Sequence, residues 1–474
     1  MASITAQANL RRRVAEVDAS ISGLQYTRLA LLRQLDAAAP SYPILTNISR
    51  EVTSRIFVHC LDPLSYGHST TSPRYAPMLL LHVCRTWRSI ALSTPELWAN
   101  LTLDFRRMSW ALFQGATLEN FIEDCVARAG TLPLSLHVNG GCSWEHTEKV
   151  QHLIPTILKR LSSRIQTLDL NIDLRHYPED TPGFPLLQKL KLRLLNLNAF
   201  LPGNHPIRIF SAAPQLRELS MQCGATPSLF SIPGAKLTVF SGHRLSTTEC
   251  VDVLRMAPSL IECHFEEPEL DPDTPAISHS GLKSLTISLL GDNSSCEFLT
   301  LPTLQNLKIS LYDFENVQPI LPFISGLSAS LLKLSWGTSP PLEVPLMELS
   351  AMGALTELKL CDPLIESVAE LFTLLDLTKH HNFLPQLQVL ELDQCAPYVN
   401  AILVDALSSR RALRSFRQFW VYNTPADALQ GYYREEGLGV ALEELIRKGL
   451  EIYIGLRNTQ APGPGAWLFN QPRL

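Results

Sequence analysis

The sequence has little charge and no basic excess. Asp, Glu, Lys and Arg make up 18% of its 474 residues, below the quarter that is usual for globular proteins. Lys and Arg number 40 against 45 Asp and Glu, so the formal net charge is -5. Proteins that bind nucleic acids usually carry a basic excess that pairs with phosphates. We therefore expect no nucleic-acid partner.

Motifs of the common enzyme classes are also missing. The sequence contains no G-x-S-x-G, no G-x-x-x-x-G-K-[ST], no G-x-G-x-x-G and no H-E-x-x-H. His380 and His381 are adjacent, and neighbouring residues on a helix do not share a face, so they are poor partners for one metal ion. We therefore expect a protein that is not an enzyme and that has no cofactor and no metal.

Paired cysteines and long apolar runs are missing as well. The ten cysteines include no C-x-x-C, which excludes the usual zinc-ribbon and thioredoxin-like motifs. The first twenty residues lack a basic-then-apolar signal pattern. The longest apolar runs, such as the one at 78–81, fall far short of the roughly 20 residues that span a bilayer. We therefore expect reduced cysteines, no membrane association, and a cytoplasmic or nuclear location.

A heptad pattern is present in residues 1–40. Apolar residues recur there at alternating spacings of three and four, and only Arg28 interrupts the seam. This pattern predicts an amphipathic helix. Two interpretations remain open: a coiled coil that forms a homodimer, or a helix that packs on its own chain or stands free. The seam residues are Leu10, Val14, Val17, Ile21, Leu24, Leu31 and Leu35.

The pattern of residues 41–100 predicts a separate helical unit. One helix is predicted at 48–61, with Ser49 as its N-cap, and a second at 78–93, after a polar loop. Residues 97–103 alternate like a strand. A connector and repeat-entry cap at 101–160 follows, with a helix predicted at 118–129 and a strand at 133–138.

The remaining residues, 161–474, repeat a pattern of L-x-x-L-x-L. Nine of the ten gaps between successive copies are 20 to 29 residues long, as in leucine-rich repeats. Standard leucine-rich repeats carry Asn or Cys at position nine. Here only Cys395 matches that position cleanly, so we predict an irregular array. The fold class is thus α/β, a leucine-rich-repeat-like solenoid of parallel strands with a C-terminal cap. The copies begin at residues 165, 187, 216, 237, 260, 282, 304, 331, 355, 387 and 413.

Two charge clusters are candidate patches for binding a partner, since loops and strand edges of repeat proteins commonly do so. The alternative is that both are ordinary solvated loops. The acidic cluster contains Glu266, Glu267, Glu269, Asp271 and Asp273. The basic cluster contains Arg410, Arg411, Arg414 and Arg417.

Residues 43–98 resemble an F-box. The family pattern runs L-P-x-E-[IV]-L-x-x-I-F, then a variable loop, then V-C-[RK]-x-W-R and a terminal L-W. Here the corresponding segments are LTNISREVTSRIF at 45–57, VCRTWR at 83–88 and LW at 97–98. Thr46 stands where the family has proline, and two extra residues precede Glu51. With its leading helix and repeats, the whole chain resembles the fungal F-box-like proteins that carry C-terminal leucine-rich repeats.

This resemblance implies a non-catalytic subunit that bridges a substrate protein to a Skp-type adaptor and through it to a cullin ubiquitin ligase. The alternative is an interaction scaffold not coupled to ubiquitin, whose helical unit merely caps the repeat array. Exposure of Val52, Phe57 and Trp87 would favour a missing partner, and their burial would favour a cap. The positions that match the adaptor-binding motif are Leu45, Val52, Ile56, Phe57, Leu61, Val83, Cys84 and Trp87.

Overall fold

The computed structural model of the chain describes most of its length. The described residues are 2–38, 48–61, 69–106, 108, 117–141, 147–173, 177, 183–195, 206–269, 276–291, 296–394, 401–412, 416–422 and 438–455. Leu45, Asp271, Asp273, Cys395 and Arg414 therefore lie outside the described residues, together with the part of the predicted C-terminal cap beyond 455.

The helices in the described residues fall into an N-terminal group and a group that alternates with strands. They are α1 (Ala2–Ala38), α2 (Arg50–His59), α3 (Leu80–Val83), α4 (Arg85–Leu92), α5 (Thr117–Arg128), α6 (Thr147–Leu161), α7 (Thr247–Met256), α8 (Leu321–Ser325), α9 (Leu346–Ser350), α10 (Ile365–Leu375), α11 (Ala401–Ala412) and α12 (Leu438–Arg447). Short 3-10 turns lie at Pro95–Leu97, Pro227–Leu229 and Gln318–Ile320.

The strands are short and regularly spaced along the chain. They are β1 (Asn100–Asp104), β2 (Leu134–Asn139), β3 (Ile165–Ile172), β4 (Lys189–Leu194), β5 (Glu218–Gln222), β6 (Val239–His243), β7 (Glu262–Glu266), β8 (Ile277–Ser278), β9 (Ser284–Leu290), β10 (Leu299–Thr300), β11 (Asn306–Tyr312), β12 (Lys333–Ser339), β13 (Glu357–Cys361), β14 (Val389–Asp393), β15 (Gln418–Tyr422) and β16 (Glu451–Gly455).

One large parallel sheet organises the chain. Fourteen strands lie side by side in chain order, while β8 and β10 form a separate parallel pair. The repeat positions align across the strands: Leu307 of β11 lies opposite Leu285 of β9 and Leu334 of β12. The prediction of an α/β fold with parallel strands and helices is confirmed at this level.

Alternation of apolar and polar residues gives the sheet one buried face and one partly exposed face. In β11, Leu307, Ile309 and Leu311 are buried, while Lys308 between them is exposed. Successive side chains of a strand point to opposite faces, so the x positions of the repeat share the exposed face. The connecting helices cover the other face. For example, Phe372 of α10 packs against Phe419 of β15, with ring centroids 6.1 Å apart.

A left-handed residue follows many of the strands. Arg244, Glu267, Asp313, Asp362 and Gln394 each come directly after a strand and have φ between 47° and 56°. Each backbone N–H group donates, over 2.8 to 3.2 Å, to a carbonyl of the neighbouring strand in the sheet. The acceptor residue lies opposite the last residue of the donor's own strand. Backbone hydrogen bonds thus stabilise the turn at the end of each of these strands. They compensate for a conformation that L-residues rarely adopt.

The sheet begins earlier in the chain than the repeats were predicted to begin. Strands β1 and β2 pair in parallel with each other, and β2 pairs with β3. Residues 100–139 therefore supply the first two strands of the same sheet. Sequence analysis did not recognise these two strands as copies of the repeat pattern. Trp98 and Pro133 occupy the first position of the two copies, where the pattern requires Leu.

Two further predictions are corrected in detail. The helix predicted at 78–93 is two helices, because Cys84 is extended (φ -158°, ψ 172°) and separates α3 from α4. The repeat predicted to begin at 413 begins three residues later. Phe419 of β15 lies opposite Leu390 of β14, so the buried set is Phe416, Phe419 and Val421. Aromatic residues at leucine positions concealed the correct frame.

The outer edge of β1 is covered by Ser69 and Thr70, which follow the undescribed residues 62–68. The Thr70 N–H donates to the Thr102 carbonyl over 2.8 Å, and the Thr102 N–H donates to Thr70 Oγ1 over 2.7 Å. Ser69 Oγ donates to the same carbonyl over 3.1 Å. An uncovered edge strand can pair with other chains, so these bonds close that edge. In the described part of the chain, no helix has both the length and the apolar character that a membrane span requires.

Candidate functional site

The helical unit that resembles an F-box is built on capped helix starts. Ser49 Oγ accepts a hydrogen bond from the Val52 N–H over 3.3 Å and begins α2. Cys84 Sγ accepts from the Trp87 N–H over 3.5 Å and begins α4. Such caps satisfy backbone donors that have no partner within the helix. The short α2 and α4 therefore each have a fixed first turn.

Side chains then hold α2 against α4. Arg50 donates a hydrogen bond to Ser93 Oγ, and Thr94 Oγ1 donates to Ser54 Oγ over 3.2 Å. The ring of Phe57 packs on the ring of Trp87, with their centroids 4.8 Å apart. Phe57 is 1% exposed and Trp87 is half-buried. These two motif residues therefore belong to the interior of the unit rather than to a free surface.

Aliphatic side chains remain uncovered on α2 and on α3, the short helix before α4. Val52, Ile56 and Val83 are 52%, 47% and 51% exposed. Val52 and Ile56 are four residues apart on α2, so they lie on one face of the helix. Cys84, next to Val83, is also exposed, while Leu61 is half-buried against the core. We refer to Val52, Ile56 and Val83 as the exposed aliphatic set.

Side-chain exposure was expected to separate a partner-binding unit from an end cap, and the three residues named for this test give a mixed result. Val52 is exposed, Phe57 is buried and Trp87 is half-buried. The unit is also anchored to the sheet, since Trp98 is fully buried and its Nε1–H donates to the Ala91 carbonyl over 2.9 Å. The Arg128 guanidinium of α5 lies 4.8 Å from the centroid of the Trp98 ring. One side of the unit is therefore packed and another side is open.

The acidic cluster is partly paired with basic neighbours. Glu267 Oε2 lies 3.7 Å from His243 Nε2, and Glu269 Oε1 lies 3.8 Å from an Arg244 Nη atom. Glu266 and Glu269 are exposed. The structure thus places the three described residues of this cluster at the end of β7 and just after it, beside the end of β6 and the turn that follows β6.

The predicted basic cluster is not one surface. Arg410 is 2% exposed and donates hydrogen bonds to the backbone carbonyls of Leu375, Phe383 and Leu384. Burial lowers its pKa to about 10. Arg410 therefore joins α11 to the end of α10 and to the loop before β14, and it is not available to a partner. The side chain of Arg411 is undescribed, and Arg417 is exposed beside β15.

The types of side chain on the exposed face of the sheet change along the chain. Strand β4 carries Lys189, Lys191 and Arg193 on this face, whereas β15 and β16 carry Trp420, Tyr422 and Tyr453. Beside the aromatic residues, β14 carries Glu391 and Asp393. Sequence analysis missed this group, although the alternation of Trp and Tyr with buried residues in 418–422 was a detectable signal once the repeat frame was set.

The cysteines and carboxylates in the described residues form no obvious reactive centre. Eight cysteines are described and all are free thiols. Burial raises the pKa of Cys125 and of Cys296 to about 12, which keeps both thiols protonated and unreactive. Among the described residues, no group of three His, Cys, Asp or Glu side chains is placed to hold a metal ion.

Comparisons with known proteins give no family. No protein-family model matches the chain, and no curated protein matches it. The functional interpretation therefore depends on the residues and on the geometry described above.

Proposed function

We propose that residues 41–100 form an F-box-like unit and that the strands and their connecting segments form an irregular leucine-rich-repeat solenoid. The chain is then the non-catalytic, substrate-recognition subunit that bridges a target protein to a Skp-type adaptor and through it to a cullin ubiquitin ligase. It works in the cytoplasm or the nucleus. The repeat sheet holds the target, and the helical unit holds the adaptor.

The exposed aliphatic set carries this proposal. Val52, Ile56 and Val83 are each about half exposed, although the unit has a packed interior in which Phe57 and Trp87 are in contact. Exposed apolar side chains on a helical unit that has its own packed interior favour a partner that covers them. All three residues occupy positions that match the adaptor-binding motif. The buried Phe57 supports that contact indirectly, by holding α2 in place.

The repeat architecture is supported by the regular register of the strands. Each L-x-x-L-x-L copy supplies one parallel strand, and the next copy lies beside it in the sheet. The recurring left-handed residue after the strands repeats with the same period. Stacked units of this kind bury one continuous core and leave a long exposed face for a partner.

A binding assay with a purified Skp-type adaptor tests the proposal. The full chain is expected to retain the adaptor on a column and to bind it with micromolar or tighter affinity. Failure of the folded wild-type chain to bind several Skp-type adaptors would overturn the proposal. Thr46 lies at the first contact of the motif, so Thr46→Pro is an informative variant, expected to bind at least as tightly as the wild type.

A second candidate function is an interaction scaffold that is not coupled to ubiquitin. The hydrogen bonds between Thr70 and Thr102 favour it, because they close the outer edge of β1 with a residue that precedes α3. In that case the helical unit serves only as an end cap. The adaptor assay separates the two candidates, since a cap has no reason to bind a Skp-type protein.

We further propose that α1 pairs with a second copy of the chain. The described seam residues Val14, Val17, Ile21, Leu24 and Leu31 are between 48% and 71% exposed. A helix with an exposed heptad seam favours a coiled coil, in which the same seam of another helix covers it. A homodimer would place two repeat sheets in one assembly and raise the effective concentration for a target with two sites.

A further inference from the structure

A pocket of about 240 Å³ lies on the exposed face of the sheet, across β9, β11, β12, β13 and β14. Its lining contains three lysines and two glutamates. The other side chains that this face contributes are small and uncharged. The exposed-face residues of the lining are Ser284, Thr286, Asn306, Lys308, Lys333, Ser335, Glu357, Lys359, Val389 and Glu391.

Two of the three lysines are paired with the two glutamates. Lys333 Nζ lies 2.7 Å from Glu357 Oε1, and Lys359 Nζ pairs with Glu391. The side chain of Lys308 is exposed, and within the described part of the chain it has neither an ion pair nor a hydrogen bond. Lys308 is therefore a cation that an anionic ligand can pair with.

The positions around Lys308 carry hydroxyl and amide groups. Thr286 and Ser335 lie directly opposite Lys308, on the neighbouring strands β9 and β12. Asn306 precedes Lys308 by two residues, so it shares its face of β11, and it lies opposite Ser284. These four neutral side chains are half-buried, and among the described residues none has a side-chain hydrogen-bond partner. Their polar hydrogens are available to an acceptor that enters the pocket.

Carboxylates are kept away from Lys308 by the order of the strands. The described strands β9, β11 and β12 contain no Asp or Glu. The nearest carboxylates in the register are those of Glu262, Glu266 and Glu357, two strands away on β7 and β13. Two strand spacings correspond to roughly 10 Å between backbones. An anionic group beside Lys308 thus meets hydroxyl and amide donors first.

We infer that this pocket binds a carboxylate side chain, aspartate or glutamate, in an extended segment of a partner protein. A carboxylate has two oxygens with about four lone-pair sites, which suits one ammonium group surrounded by neutral donors. Hydrogen bonds between an ammonium group and a carboxylate are stronger than those between neutral groups. A phosphate group would bring nearly two negative charges, which the two glutamates of the pocket disfavour.

The inference rests on the proposed function, because it gives the chemistry of the target that the repeat sheet holds. It is independent of the adaptor, since the pocket lies on β9 to β14 and the helical unit precedes β1. The two proposals can therefore fail separately.

Carbon NMR of the full chain tests the inference directly. Lysine labelled with carbon-13 at Cε is incorporated biosynthetically, and Lys308→Arg, which keeps the charge, assigns the Lys308 resonance. The probe is a capped Gly-Ser-Glu-Ser-Gly peptide, and the control is the same peptide with glutamine, which keeps the shape of glutamate without its charge. A peptide with one recognised residue makes few contacts, so the expected dissociation constant is on the order of millimolar.

We expect the glutamate peptide to shift the Lys308 resonance saturably, and the glutamine peptide to bind roughly tenfold more weakly or not at all. Lys308→Met should weaken binding, followed through the Lys333 and Lys359 resonances, by at least roughly fivefold. Lys189→Met is the matched control, because it removes one lysine from the same face, at β4, and it should leave binding unchanged. Thr286→Val keeps the shape but removes a hydroxyl donor, and it should weaken binding roughly threefold. It also tests the pocket if Lys308→Met fails to fold.

Four results would overturn the inference. They are an unshifted Lys308 resonance, equal shifts with the glutamate and glutamine peptides, equal weakening by the methionine variants of Lys308 and Lys189, and roughly tenfold tighter binding of a phosphoserine peptide. None of these measurements contains an adaptor. Loss of glutamate binding with intact adaptor binding therefore rejects only the inference, and the reverse rejects only the adaptor proposal.

Discussion

The rings of Phe57 and Trp87 lie with their centroids 4.8 Å apart and their planes inclined at 56°, which joins α2 to α4. Both residues belong to the F-box-like pattern, yet Phe57 is buried and Trp87 half-buried. The motif thus contains two kinds of positions, those that hold the helical unit together and those that remain open. Substitutions at the two kinds have different expected outcomes.

Phe57→Ala is expected to destabilise the helical unit. Replacing a buried phenylalanine by alanine removes apolar contacts and leaves a cavity, at a cost of about 3–5 kcal/mol. Ile56→Ala is the matched control on the same helix, since Ile56 is 47% exposed, and it should cost less than about 1 kcal/mol. Denaturant unfolding followed by circular dichroism measures both. Similar midpoints for the two variants would contradict the interior position of Phe57.

Arg410→Met is expected to destabilise the junction between α10, α11 and β14. The substitution leaves the carbonyls of Leu375, Phe383 and Leu384 without the donors that they have now. Buried acceptors that lose their partners cost about 1–3 kcal/mol each. Arg417→Met, at an exposed position, is the control and should be close to neutral. Thermal unfolding measures the difference, and an Arg410 variant as stable as the Arg417 variant would contradict the structural role.

Thr70→Val is expected to open the edge of β1. The substitution keeps the shape of the side chain but removes the hydroxyl that accepts from the Thr102 N–H over 2.7 Å. The amide of Thr102 should then exchange its hydrogen faster. Hydrogen exchange with mass spectrometry of a peptide covering 100–104 measures this. Thr70→Ser retains a hydroxyl and should restore slow exchange, whereas equal exchange in both variants would argue against an edge-closing role.

Thiol reactivity should divide the cysteines by burial. Cys60, Cys84 and Cys223 are exposed and should react with iodoacetamide in the folded chain. Cys125 and Cys296 should resist it, because burial raises the pKa of each thiol to about 12. Since these folded-state pKa values exceed those of the unfolded chain, the stability that the thiols contribute is complete below pH 9 and declines between about pH 9 and 12. Cys296→Ala should flatten that decline, and an unchanged slope would contradict burial of the thiol.

Leu24→Asp is expected to dissociate the homodimer that α1 is proposed to form. Leu24 is a seam residue, and an unpaired charge in the seam of a coiled coil is costly to bury. Light scattering after size exclusion should give twice the chain mass of 52.8 kDa for the wild type and a single chain for the variant. Gln25→Asp, beside the seam on the same helix, should remain dimeric. A wild-type chain that is monomeric at high concentration would reject the coiled coil.

The periodicity of the sequence predicted most of the strands because each leucine copy is buried in the same register. It failed where other apolar residues take the leucine position. Phe416 and Phe419 displaced the last repeat frame by three residues. Trp98 concealed that the strand predicted at 97–103 has the spacing of a repeat copy. Helix periodicity also could not locate the break at Cys84, because the apolar pattern continues through it and only the extended backbone there separates α3 from α4.

The candidate site was predictable only in part. The motif identified Val52, Ile56 and Val83, which the structure leaves exposed, but it could not separate them from the buried Phe57. The basic run was a poor guide to the surface, although the described acidic run does lie on it. In the sequence Arg410 belongs to a basic cluster. In the structure its guanidinium donates hydrogen bonds to the carbonyls of three residues that are distant in the sequence. The pocket around Lys308 requires the alignment of five strands that are far apart in the sequence, so no local pattern could predict it.

Calorimetric titration of a Skp-type adaptor into three forms of the full chain tests the proposed function most directly. The forms are the wild type, Ile56→Asp and Ile261→Asp, since Ile56 and Ile261 are equally exposed, at 47% and 46%. We expect the wild type and Ile261→Asp to bind alike, and Ile56→Asp to bind at least about tenfold more weakly, because a charge replaces an apolar contact. No binding by the wild type, or equal binding by all three forms, would contradict adaptor docking on the exposed aliphatic set.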